Sequence, residues 1–219
     1  MMRYKAVIFD MDGVLIDSEP GYNTSEKALF NSLGLPFGKR ELDAITGSSG
    51  KEIGKQIKLW KPELPYTVDQ LAKLYTDALL NSLRQNVKSL IPGAAEWISR
   101  LSAQGIYLSV GSSSTDDMVY HVVRTFGLDP LMDAVVTCDC VARGKPWPDI
   151  FIECARRMGV TPADCLVIED STNGVRAAHA AGMACAAFTG TDRHGLNLSE
   201  AELRFNAYDD LNFSRIFLE

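Results

Sequence analysis

The chain has 219 residues, 46% of them hydrophobic, which suffices for one sizeable domain or one domain carrying a smaller insert. A formal net charge of −6 argues against nucleic acid or an anionic membrane surface as the main partner, because both demand a broad basic face. No apolar run approaches the roughly 20 residues of a bilayer span, and Met1 to Lys5 leads into a strand-like run rather than a signal sequence, so the cytoplasm is the expected compartment.

The first strand is expected at Ala6-Val7-Ile8-Phe9, a short apolar run rich in β-branched residues that ends in acid. From about Glu19 to Gln85 the pattern changes to helical periodicity with turn signals and no convincing strand, with helices predicted over Ser25 to Leu33, Gly50 to Trp60 and Val68 to Leu83. Beyond it, strands are predicted at Tyr107 to Val110, Ala134 to Val136, Leu166 to Ile168 and Ala184 to Phe188. The intervening helices fall at Ala94 to Ala103, Thr115 to Phe126 behind a Ser114 cap, Ile150 to Met158 and Gly174 to Ala181. Alternating strands and helices imply a doubly wound parallel sheet of the α/β class. Residues 1–18 and 87–219 are expected to form this core, and residues 19–86 a small helical domain inserted after the first strand; the plainer alternative is that these helices cover one edge of the sheet. The five cysteines form no CxxC pair, are odd in number and are read as reduced core residues.

Several of the predicted strands end in polar residues: Asp10 and Asp12 after the first, Ser112 after the second, and Glu169 with Asp170 after a later one. In an open parallel sheet the carboxyl ends of the strands meet at one edge, where ligands bind, so these residues are expected to converge. Asp10 and Asp12 lie two apart, and the two-residue period of a strand turns both carboxylates to one side. Clustered carboxylates at Asp10, Asp12, Glu169 and Asp170, without nearby histidine or thiolate, suit magnesium rather than zinc. Taken singly, Asp12-Gly13 is also a plain turn, and an Asp-x-Asp pair occurs in metal-binding glycosyltransferases. Lys145 stands in Gly144-Lys145-Pro146, where its ammonium suits a phosphate as a point charge. Ser112 and Ser113 offer hydroxyls and amides to phosphoryl oxygens ahead of a helix. A nucleotide P-loop and a Gly-x-Ser-x-Gly elbow are both missing, and His121, His179 and His194 do not form a metal set.

Asp10-Met11-Asp12-Gly13-Val14, Ser112, Lys145-Pro146 and Glu169-Asp170-Ser171 occur in the order and at the separations of the haloacid dehalogenase superfamily. Over nearly its whole length the sequence resembles the branch of β-phosphoglucomutase and the sugar phosphate phosphatases. The resemblance implies a Rossmann-type core with a helical cap that closes over the substrate. It implies that Asp10 is the nucleophile forming an aspartyl phosphate and that Asp12 protonates the leaving oxygen and then deprotonates water. It also implies Mg2+ held by Asp10, the backbone carbonyl of Asp12, and Asp170, with Glu169 in support, and phosphoryl oxygens held by Ser112, Ser113 and Lys145. The expected partner is a small phosphorylated metabolite, and the expected state a monomer. Asp12 separates this chain from true dehalogenases, which lack the second aspartate. The resemblance places Ser18, Tyr22, Gly47 and Lys51 at substrate-facing positions of the cap. Tyr22 replaces a histidine characteristic of β-phosphoglucomutases, and no arginine follows the cap glycine, although Lys51 is near. Both departures favour a phosphatase over a mutase; a phosphonate-cleaving enzyme and a non-catalytic binding protein are remoter readings.

Overall fold

The computed structural model describes residues 4–45, 48–191, 196–212 and 216–217. The chain divides into two compact units, Ser18–Lys88 and the pair of segments Met1–Asp17 and Ser89–Glu219.

The described residues of Ser18–Lys88 form four helices, α1 (Glu19–Ser32), α2 (Lys39–Ile45), α3 (Gly50–Trp60) and α4 (Val68–Asn86). Capping boxes start α3, through Ser49 and Glu52, and α4, through Thr67 and Gln70, satisfying amides that the first turn leaves without helical partners. Gly54 lets α3 approach α4 closely: a Cβ there would lie 2.5 Å from the Val68 carbonyl. Two differences from the sequence expectation have local causes. Helix α1 begins six residues earlier than Ser25, because Pro20 sits in its first turn, where a missing N–H costs nothing. Helix α2 has the sequence KRELDAI, too short and too polar to display a period.

The other unit is built on six parallel strands, β1 (Ala6–Phe9), β2 (Tyr107–Gly111), β3 (Ala134–Val136), β4 (Cys165–Glu169), β5 (Ala184–Phe188) and β6 (Leu203–Phe205), ordered β3-β2-β1-β4-β5-β6. The doubly wound α/β fold expected from the sequence is the one observed. Strands β1 and β4 are buried along their whole length with neighbours on both sides, which is why they read as unbroken apolar runs. Strand β6 escaped the sequence reading because it is three residues long, at the sheet edge, with Leu203 and Arg204 exposed.

The connecting helices are α5 (Ala94–Ala103), α6 (Asp116–Thr125), α7 (Asp149–Met158) and α8 (Thr172–Ala180). Ile150, Phe151 and Cys154 of α7 and Ala177 and Ala178 of α8 join Ala6, Ile8, Cys165 and Val167 in one buried cluster. Of these, Ile8, Ile150, Phe151 and Val167 each contribute about 1.5–3 kcal/mol when fully buried. Helix α5 packs Ala94, Trp97, Ile98 and Leu101 inward and contacts β2. The cysteine expectation needs correcting: all five thiols are free, but only Cys154, Cys165 and Cys185 are core residues, while Cys138 is half-buried and Cys140 exposed on a 3-10 turn. No helix of the described residues is long and apolar enough to cross a membrane.

Candidate active site

The strand order reverses between β1 and β4, the point where an open parallel sheet leaves a crevice at its carboxyl edge. Phe9 pairs with Val110 on one side and with Ile168 on the other. The next residue in each strand is therefore Asp10, Gly111 or Glu169. Asp10 keeps the ladder for one more step, its N–H donating to the Ile168 carbonyl at 2.9 Å.

Lys145 joins these three strand ends. Its ammonium donates to Asp10 Oδ1 at 2.6 Å, to the Gly111 carbonyl at 2.9 Å and to Glu169 Oε1 at 2.7 Å. It also lies over the Phe151 ring, 4.8 Å from its centre. Asp10, Lys145, Glu169 and Asp170 are all buried. The second oxygen of Glu169 accepts from the Asp170 and Ser171 amides at 2.8 Å each and from the Ser171 hydroxyl at 2.9 Å. Ser171 caps α8, its hydroxyl accepting from the Gly174 N–H at 3.0 Å. A Cβ on Gly174 would fall inside the Glu169 carboxylate, so the first turn of α8 presses on this side chain only because the residue is glycine.

Asp10, Glu169 and Asp170 each offer a carboxylate oxygen within 4.8 Å of the others. Three carboxyl groups share this buried place with one ammonium, more acid than a single cation can match. Burial accordingly pushes the Asp10 carboxyl up to about 7; Lys145 opposes this, while Glu169 and Asp12 add to it. Burial also opposes the charge of Lys145, but the Asp10 and Glu169 carboxylates overcome it and raise its pKa. Glu169 is held below its ordinary range because Lys145 and the Ser171 donors outweigh the cost of burial. An all-oxygen, carboxylate-rich donor set with surplus negative charge fits a hard divalent cation.

After Asp10 the chain leaves the strand. The Met11 carbonyl accepts from the amides of Val14, Leu15 and Ile16, and Gly13 turns at φ 82°. Asp12 lies in this bend, half-buried, and its Oδ2 accepts from the Ser114 hydroxyl at 2.7 Å. Its carboxylate is not one of the three that gather at Asp10. The strand period is therefore not what aims it, although it lies near enough for its charge to raise the pKa of Asp10.

Ser112 is buried at the end of β2, with its hydroxyl oxygen accepting from the Ser114 N–H at 3.0 Å, whereas Ser113 is exposed. The helix cap expected of Ser114 is corrected. Helix α6 starts at Asp116 behind Thr115, and the Asp116 N–H is taken by the Asp139 carboxylate at 2.9 Å. The sequence pattern of a hydroxyl ahead of a helix could not show that a residue 23 positions away supplies the acceptor.

The four cap positions lie in or beside the helical unit. Ser18 is buried at the start of α1, its carbonyl accepting from the Tyr22 N–H at 2.9 Å; Tyr22 is half-buried and Lys51 exposed in the first turn of α3. Gly47 lies outside the described residues, as does His194. Sequence reading missed Glu26, buried in this unit and accepting from the Tyr75 hydroxyl at 2.5 Å. Burial pushes its carboxyl above the usual range, against the Tyr75 hydrogen bond and with help from Glu19. Its place four residues before the buried Phe30, on the same face of α1, was the available signal.

A family model described as haloacid dehalogenase-like hydrolase matches residues 7–188. The chain belongs to this family. Among curated proteins it is 35% identical over 185 residues to fructose-1-phosphate phosphatase YqaB of Escherichia coli, covering 83% of this chain and 94% of that one. It is 32% identical over 180 residues to hexitol phosphatase B of the same species, covering 81% and 80%. The β-phosphoglucomutase of Bacillus subtilis is 30% identical over 184 residues, 82% and 80% of the two chains. The structure of CbbY from Rhodobacter sphaeroides in complex with phosphate superposes with a TM-score of 0.84 over 95% of this chain and 96% of that one, at 24% identity, which marks a shared fold.

Proposed function

We propose that this hydrolase is a magnesium-dependent phosphatase of small phosphorylated metabolites, sugar or sugar-alcohol phosphates foremost, acting through an aspartyl phosphate on Asp10. The observation that carries the reading is the buried set of Asp10, Lys145, Glu169 and Asp170 at the switch point of the sheet. Burying these charges costs several kcal/mol per ion, a cost that a packed core alone gives no reason to bear. The names of the relatives supply the chemistry.

In this reading an Asp10 oxygen attacks phosphorus while the bond to the leaving oxygen breaks and Asp12 gives that oxygen a proton. Water then attacks the phosphoaspartate, Asp12 takes its proton, and Asp10 is regenerated with release of inorganic phosphate. Asp10 and Asp170 would hold the cation together with the Asp12 carbonyl. Glu169, with both oxygens already engaged, supports Lys145 and the amides after β4. Magnesium supplies positive charge that favours ionised Asp10 and draws in phosphoryl oxygens. Lys145 already has three acceptors, so a phosphoryl oxygen shares or replaces one of them. Ser112 retains a hydroxyl hydrogen for the same purpose, since its oxygen is the acceptor toward Ser114. The helical unit, with Ser18, Tyr22, Gly47 and Lys51, supplies substrate selection.

The likeness to a β-phosphoglucomutase keeps a mutase as the second reading. Tyr22, where mutases characteristically carry histidine, favours the phosphatase. Incubation with hexose and hexitol phosphates, with Mg2+ or with a chelator, decides between them. Mg2+-dependent release of inorganic phosphate is the expected result. Conversion of β-glucose 1-phosphate to glucose 6-phosphate without release would overturn it in favour of the mutase.

A further inference from the structure

Ser114 has a hydroxyl that its helix does not use. The Asp139 carboxylate takes the first amide of α6, and the Ser114 hydroxyl donates instead to Asp12 Oδ2 at 2.7 Å, across 102 residues of sequence. Ser114 is itself held from behind, because its N–H donates to Ser112 Oγ at 3.0 Å. Ser112 is buried and anchored by its own N–H to the Val136 carbonyl at 3.0 Å. A fixed donor thus meets one named oxygen of the carboxylate.

We propose that Ser114 is a positioning residue for Asp12, fixing the rotamer of its carboxylate and assigning the proton transfers to Oδ1. The inference rests on the phosphatase reading above. In a neutral carboxyl group the carbonyl oxygen is the better acceptor, so donation from Ser114 to Oδ2 puts the acid proton on Oδ1. In the first step the Oδ1–H bond breaks and the proton passes to the leaving oxygen, as the phosphorus bond to that oxygen breaks and the bond to Asp10 forms. In the second, Oδ1 takes a proton from water as the water oxygen bonds phosphorus and the Asp10–phosphorus bond breaks. The Ser114 proton stays on Ser114 throughout.

Comparing leaving groups separates positioning from a merely structural tie. A sugar alkoxide needs its proton as it departs, whereas p-nitrophenolate leaves without one. For Ser114→Ala, first-turnover release of the alcohol from a hexose phosphate should slow roughly 10- to 100-fold, a part of the full range for general acid catalysis. Release from p-nitrophenyl phosphate should slow less than about 3-fold, with KM for both little changed. Ser114→Thr and Ser114→Val share a shape and differ in the hydroxyl, so Thr should restore the rate and Val should not. Equal losses on both substrates, a loss carried by KM alone, equal rates for Thr and Val, or no loss at all would each overturn the proposal. If the native protein releases no phosphate from any substrate, the phosphatase reading falls and takes this one with it; an active native protein with an indifferent Ser114→Ala removes this one alone.

Discussion

Asp10, Lys145, Glu169 and Asp170 are buried together at the carboxyl edge of the sheet, whereas among the described residues the helical unit buries a single carboxyl, Glu26, and no lysine or arginine. The two regions handle burial by different means. In the sheet unit Lys145 and Glu169 hold each other charged, while Asp10, raised to about 7, and Asp170 bring more carboxyl than one ammonium can match. In the helical unit a single carboxyl accepts a hydrogen bond from Tyr75 and drifts toward its neutral form. A network with residual charge invites a cation and an anionic substrate; a lone carboxyl relaxed by one hydroxyl serves packing and register. Burial of charge alone is thus a poor mark of a site, and an unbalanced cluster at a strand edge is a better one.

The largest test of this contrast is Asp10→Asn. Turnover should fall by roughly 10⁴-fold or more, the scale seen when a nucleophile is removed, while circular dichroism stays native. Retained turnover in a folded variant would remove Asp10 as nucleophile. Next is Lys145→Met, which leaves Asp10 and Glu169 without their shared ammonium beside Asp170; chemical denaturation should show a loss of about 3–5 kcal/mol. A loss below about 1 kcal/mol would mean that the network does not depend on Lys145. Third, Mg2+ at 100-fold its dissociation constant should stabilise the native protein by about 2.7 kcal/mol, and Asp170→Asn should abolish most of that gain in a thermal melt.

The smallest expected effect is in the helical unit. The Glu26 carboxyl is raised in the fold, so its contribution to stability is full below the unfolded-state value and is lost as pH rises through the folded-state one. Glu26→Gln keeps an acceptor for Tyr75 and removes that loss. It should match the native protein in denaturant midpoint at pH 4 and exceed it at pH 8. A native protein that gains stability relative to the variant between those pH values would show that Glu26 is held as a needed charge.

Strands β1 to β5 were legible because short buried runs in a parallel sheet carry their signal in composition alone. Asp10, Glu169 and Asp170 were legible because a strand end projects to a known edge once the sheet is parallel. Asp12 was named for the right turn but for the wrong reason, since the Met11 carbonyl and Gly13 set the bend and Ser114 holds the carboxylate. That hydrogen bond joins residues 102 apart in sequence, and no local pattern predicts such a partner. Helix α2 and strand β6 were illegible for a plainer reason: seven polar-rich residues and three edge residues are too few for either pattern to repeat often enough to stand out.

Lys145 touches acceptors 135 positions before it, 34 before it and 24 after it. During synthesis, then, the site stays incomplete until the chain has been made past Glu169. A chain truncated before β4 would carry Asp10 and Lys145 but lack the second carboxylate that shares the ammonium, and contacts of such span form late because loop closure must precede any gain from them. The same ammonium that steadies the chemistry therefore reports assembly: the centre comes into being only when the ends of β1, β2 and β4 stand side by side.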